Sequence, residues 1–197
     1  MKSTTRIAIA ATAFISLATQ AVAHPGHVDP LGLAHGLMHP LSGLDHILAM
    51  IAVGLYAAQL GGRGVWMLPT AFLTAMIAGG AMGYAGIPIP MVEQGIALSV
   101  IMMGAAIALS LKMPVVLGMS LAAVFAIFHG HAHGSEGAAT ALFLPYAAGF
   151  IAATFLLHAT GVAIGSGLNR FKAGHALALR RAAGTAGALA GLAIMLS

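Results

Sequence analysis

The chain has 197 residues, 60% of them hydrophobic and only 6% charged, with a mean hydropathy of +0.99. Soluble domains carry about 25% charged residues, so this chain cannot coat itself for water and reads as a polytopic membrane protein. The formal charge of +4 does not indicate nucleic acid, because the basic residues are scattered among apolar runs and form no basic face, and the absence of cysteine excludes disulfides and thiolate metal sites.

Residues 1–23 fit a secretory signal peptide. Lys2 and Arg6 give a positive start, Ile7 to Leu17 an apolar centre, and Ala21-Val22-Ala23 a small-x-small cleavage pattern. That apolar centre is shorter than the roughly 20 residues that cross a bilayer. Cleavage leaves His24 as the mature N-terminus, outside the cytoplasm, and residues 24–197 as a single transmembrane domain.

The expected fold is all-α, with six transmembrane helices after the signal. The spans are predicted at about Leu37 to Leu60, Val65 to Ala85, Gln94 to Leu111, Pro114 to His131, Ala141 to Leu168 and Leu177 to Leu196. In the last, Arg180 and Arg181 must snorkel to the headgroups. An exported N-terminus puts Arg63, Lys112, Arg170 and Lys172 in inside loops, with Arg180 and Arg181 close by, and leaves the outside segments with no lysine or arginine. This positive-inside pattern supports both the span count and the orientation. Asp29, Asp45, Glu93, Glu136 and eight of the ten histidines fall on the outer side, where they would attract cations. Gly79 with Gly83, Gly161 with Gly165, and Gly187 with Gly191 are expected helix-packing seams.

Ionisable groups inside apolar spans cost about 2.5 to 3.5 kcal/mol for Asp near the centre and mark functional sites. The first span carries His39, Asp45 and His46, with His35 just before it. On a continuous helix His39 and His46 fall within about 20° of one face. Asp45 lies to one side, either as a ligand or as the acceptor that fixes an imidazole tautomer. Pro40 suits a helix start or a break. The fourth span ends in Phe128 to Glu136, where His129, His133 and Glu136 share a face and His131 points the other way; Gly130 and Gly134 suit a bent or unwound end. Imidazoles and carboxylates without thiolate suit nickel, cobalt, copper or zinc, and fit magnesium or calcium poorly.

Glu93, at the start of the third span, either lines the mouth of this site or is a solvated cap. His158 lies deep in the fifth span, as a later step on a path or as a packing residue. His24, His27 and His175 have no evident partner, and the methionines in the spans read as packing.

His39-Pro40-Leu41-Ser42-Gly43-Leu44-Asp45-His46 matches H-P-x-x-G-x-D-H, and in this the chain resembles the HupE/UreJ family; Phe128 to Glu136 is similar to that family's second histidine motif. The resemblance covers essentially the whole chain. It implies an inner-membrane nickel permease, some members handling cobalt, that serves hydrogenase or urease. It further implies functional roles for His39, Asp45, His46, His133 and Glu136, and for Glu93 and Phe72.

The sequence thus reads as a secondary permease of the bacterial inner membrane that imports a divalent transition-metal ion, nickel first and cobalt second. The metal set is His39, Asp45, His46, His129, His133 and Glu136, with His35, Phe72, Glu93 and His131 as additional transport residues. The ion is substrate, not prosthetic group, and the other partner is the lipid bilayer. The chain has no G-x-x-x-x-G-K-S/T loop for a nucleotide and no H-E-x-x-H of a metalloenzyme, so no enzymatic activity is expected. Rival readings are a metal sensor or metallochaperone, and a proton or small-cation channel. Protonated imidazole does not ligate, so uptake is expected to fall as pH drops through about 6.5.

Overall fold

The computed structural model describes residues 32–137 and 142–197; the signal peptide, His24, His27 and Asp29 lie outside them. Among the described residues there are seven helices and no strand: α1 (Gly32–Ser42), α2 (Leu44–Leu60), α3 (Gly64–Tyr84), α4 (Val92–Ala108), α5 (Val115–Gly137), α6 (Phe143–Leu168) and α7 (Ala173–Leu196). Three of these, α3, α5 and α6, are long and apolar enough to cross a membrane, and α1 with α2 makes a fourth if the bent pair is one span. α4 is apolar but 17 residues long, and α7 carries Arg180 and Arg181. The described residues are those of an all-helical membrane protein.

The first expected span, continuous from Leu37, is instead two helices meeting at 81°. The break is at Gly43, whose backbone is extended (φ −98°, ψ 120°), and not at Pro40, which is buried inside α1. Ser42 Oγ donates to the His39 carbonyl at 2.6 Å, satisfying one of the orphan acceptors at the end of α1. The Ile47 amide donates to the Gly43 carbonyl at 3.1 Å and starts α2. A Cβ on Gly43 would stand 2.7 Å from Asp45 Oδ1 and 2.8 Å from His46 Nδ1. A larger residue there would displace the two polar side chains that fold back over Gly43.

The fourth span also differs from expectation: α5 stays helical past His131 to Gly137. Its glycines serve close packing rather than unwinding. A Cβ on Gly130 would lie 2.0 Å from the Met76 carbonyl oxygen, and one on Gly134 2.0 Å from that of Gly80. Gly79 and Gly83 make the reciprocal approach to Ile127 and His131, so α3 and α5 run parallel with their backbones almost touching. Lipid chains supply no hydrophobic drive between helices, and such small-residue seams hold membrane bundles together by contact. Of the other expected seams, Gly161 and Gly165 do pack against α2, but on α7 it is Gly184 and Gly191 that meet α4, while Gly187 stands off at 3.9 Å.

The core gathers around α2, with Met50, Val53, Tyr56 and Ala57 buried against Leu68, Phe72, Met103, Ile107, Phe150 and Leu157. Tyr56 Oη donates to the Leu111 carbonyl at 3.1 Å, and Gln59 Nε2 to the same atom at 3.3 Å. These bonds tie the end of α2 to the α4–α5 turn. The helix order places Arg63, Lys112, Arg170 and Lys172 in the connections at one end of the bundle, with Arg180 and Arg181 in the first part of α7. The opposite end, where α1, α2, α4 and α6 begin and α3 and α5 finish, has no lysine or arginine among the described residues. There the histidines collect.

Candidate metal centre

Two carboxylate-imidazole pairs from different helices meet at that histidine end. The α1–α2 elbow brings in His39, Asp45 and His46, and the last two turns of α5 bring in His129, His133 and Glu136. Glu136 Oε2 is 3.0 Å from His39 Nε2 and 3.1 Å from His133 Nδ1. Ligand atoms of His39, His133 and Glu136 all lie within 4.8 Å of one another, enough to hold a metal ion. The His39 ring centroid stands 4.8 Å from that of His133, which stands 4.4 Å from that of His46. Exposure falls along this series: the Glu136 side chain is 56% exposed, His39 27% and His133 6%. The cluster is a funnel with its carboxylate at the rim.

The hydrogen bonds fix what each imidazole offers. His46 Nδ1–H donates to Asp45 Oδ1 at 2.8 Å, and His133 Nδ1–H donates to Glu136 Oε2. In the neutral rings the lone pairs are then on Nε2. These two Nε2 atoms face each other at 2.5 Å. Two bare lone pairs repel at that distance, and a cation between them, proton or metal, reverses the sign. A metal with nitrogen ligands at about 2.0–2.1 Å in tetrahedral geometry, the zinc case, sets neighbouring ligand atoms about 3.3 Å apart, so the two rings would part by about 0.8 Å to share an ion. Asp45 Oδ1 is thus placed as an acceptor that orients His46, one of the two roles its spacing left open.

His129 is fully buried, with its ring 5.0 Å from that of His46. Ser99 Oγ donates to the Ile96 carbonyl at 2.6 Å, so its 2.9 Å contact with His129 Nε2 uses the imidazole as donor. The lone pair of His129 is therefore on Nδ1, which has no hydrogen-bond partner among the described residues. Phe72, also buried, lies between His129 and His158, with ring centroids 5.7 and 4.9 Å away.

The remaining expected residues divide. His35 is at the rim, 5.8 Å from the His39 ring and 5.4 Å from that of Tyr146. Glu93 lines a cavity of about 290 Å³ together with Asp45, Gln94 and the end of α7, beside the imidazoles and not among them. His131 is outside the cluster: its Nε2–H donates to the Ile87 carbonyl at 2.7 Å and pins the α3–α4 loop. Ser99, Tyr146 and Phe150 were not anticipated. Ser99 is the single hydroxyl in the otherwise apolar part of α4, a signal available in the sequence; Phe150, 4.2 Å from the His133 ring, carries no such mark.

Residues 12–194 match the family model described as HupE / UreJ protein. The chain is 47% identical over 184 residues to "Protein HupE" of Rhizobium leguminosarum bv. viciae, covering 93% of this chain and 94% of that protein. No solved structure matches it.

Proposed function

Because the chain belongs to the HupE/UreJ family, we propose that it is a secondary permease carrying a divalent transition-metal ion, nickel first and cobalt second, from periplasm to cytoplasm for maturation of a hydrogenase or urease. The observation that carries this reading is the pair of carboxylate-oriented imidazoles, His46 and His133, with their Nε2 atoms turned toward each other. Glu136 and His39 complete a donor set of imidazole and carboxylate. Such a set suits borderline divalent ions.

Transport asks for a site that binds and then lets go. The gradient from exposed Glu136 to buried His133 suits stepwise exchange of the ion's water for protein ligands. A closed thiolate cage would hold the ion; three or four mixed ligands with one open side exchange it more readily. We assign the histidine end to the periplasm and the arginine-rich end to the cytoplasm, on the positive-inside rule. In this reading α1 with α2 forms the first of six spans, α4 and α7 complete the set, and residues 1–23 are removed as a signal peptide.

Uptake of radioactive nickel into proteoliposomes tests the proposal. The parent protein should accumulate nickel, and His46→Ala and Glu136→Gln should each lower the initial rate by about tenfold or more, the range found when groups supporting a metal are removed. Tight nickel binding without accumulation would make the protein a sensor or metallochaperone. Equal uptake by parent and variants would remove the cluster from the mechanism.

A further inference from the structure

His158 is a buried imidazole that no hydrogen bond explains. It lies in the middle of α6 at 1% exposure, and neither ring nitrogen has a partner among the described residues. Buried polar groups in folded proteins nearly always find partners, and inside a bilayer an orphan has no water to fall back on. A residue there for packing alone would be better served by leucine or phenylalanine. Retaining two nitrogens without partners costs stability and calls for a ligand that comes and goes.

The surroundings say which ligand. Thr154, one turn away on the same face of α6, is fully buried, and its hydroxyl contacts Met76 Sδ at 3.9 Å. Phe72, one turn from Met76 on α3, sets its ring edge-on to His158 at 4.9 Å. Imidazole nitrogen, hydroxyl oxygen and thioether sulfur thus come to one short stretch of the α3–α6 boundary, and the buried set holds no carboxylate, lysine or arginine among the described residues. That is a donor set for a borderline transition-metal cation and not for an anion or a hard cation. On the other face of Phe72, at 5.7 Å, is His129, whose Nδ1 is likewise without a partner among the described residues. The rings of His39, His133, His46, His129, Phe72 and His158 follow one another from the rim to the interior, each within 5.7 Å of the next.

We infer that His158 is an interior binding station for the transported divalent transition-metal ion, reached from the outer cluster past His129 and the Phe72 ring. The inference rests on the transport reading for its purpose, but the site is defined by its own ligands. Loose ligation by one imidazole with weak neighbours favours passage onward over retention.

Two readouts on the full-length protein keep site and transport apart. Equilibrium dialysis against nickel counts ions bound per chain, and proteoliposome uptake measures transport. His158→Gln and His158→Leu should each bind one nickel ion fewer than the parent, keep the affinity of the outer cluster, and lose about tenfold or more in initial uptake rate, as for other groups supporting a metal path. Thr154→Val, which leaves the imidazole in place, should keep the ion count and slow uptake less. His158→Leu should melt no lower than the parent, because it removes orphaned polar atoms; a lower melt would assign the imidazole a structural bond and overturn the inference. An unchanged ion count in either His158 variant also overturns it. A parent that binds the extra ion but accumulates none would refute the transport reading and leave the interior site standing.

Discussion

In the proposed metal site, Asp45 would act through a ligand and not on the metal itself. Its Oδ1 takes the Nδ1–H of His46 at 2.8 Å, which leaves His46 Nε2 free to face His133. Asp45→Asn keeps the volume and an acceptor oxygen but loses the charge that holds the imidazole in this tautomer. Nickel affinity should fall by about 10- to 100-fold, as it does when outer-shell acceptors of ligating histidines are changed. Isothermal titration of the purified protein reads this directly; an Asp45→Asn variant that binds nickel like the parent would rule out the orienting role. His46→Ala should lose more, since it deletes the ligand itself. The order of the two losses therefore tells a ligand from its positioning residue.

At the scale of the helices, the site depends on how closely α3 and α5 approach. The rings of His129 and His133 sit on the same two turns of α5 as Gly130 and Gly134, whose added Cβ atoms would each come 2.0 Å from an α3 carbonyl oxygen. Neither backbone can yield locally, so Gly130→Ala or Gly134→Ala must push the helices apart. Overpacking of this kind costs about 1–3 kcal/mol, and both variants should melt at lower temperature and lose nickel binding together. Gly167→Ala and Gly174→Ala, whose Cβ atoms would meet nothing within 4 Å, should behave as the parent does. A thermal melt across the four variants, each compared with the parent, checks the pattern. The α3 side of this seam, Gly79 and Gly83, was legible in the sequence, because small residues four apart have a mechanical meaning in a membrane; the α5 side, Gly130 and Gly134, read there as a bent or unwound end. The elbow at Gly43 was not. Placing His39 and His46 on one face assumed a straight helix, whereas the two residues meet the α5 cluster from separate helices joined at 81°. A glycine in an apolar run does not announce an extended conformation; here the fold-back of Asp45 and His46 over it, and the docking of α1 and α2 along α6, decide the matter. Phe150 enters the site from a distant helix by packing, which no local pattern encodes, whereas Ser99 stood out as the single hydroxyl in α4 without its partner being legible.

For the molecule as a whole, the charge distribution and the site make one statement about direction. The described lysines and arginines lie at or near one end of the bundle, and the imidazole–carboxylate funnel opens at the other. Basic loops stay in the cytoplasm because translocating them is disfavoured; in the orientation proposed on that rule, the funnel faces the periplasm and would meet the ion before it crosses. The protein has no cysteine, which makes this orientation measurable one position at a time. Pro88→Cys lies in the exposed α3–α4 connection at the histidine end, and Lys112→Cys in the exposed α4–α5 connection at the basic end. In spheroplasts a membrane-impermeant maleimide should label Pro88→Cys at once and Lys112→Cys only after the membrane is opened. Because α4 alone separates the two positions, opposite accessibility also requires this 17-residue helix to cross the bilayer, a length near the lower limit of about 17 to 25 residues. Labelling of both positions in closed spheroplasts would mean that α4 does not cross, and the six-span reading would fail with it. Labelling of Lys112→Cys alone would turn the funnel toward the cytoplasm, where it would gather ions for export rather than import.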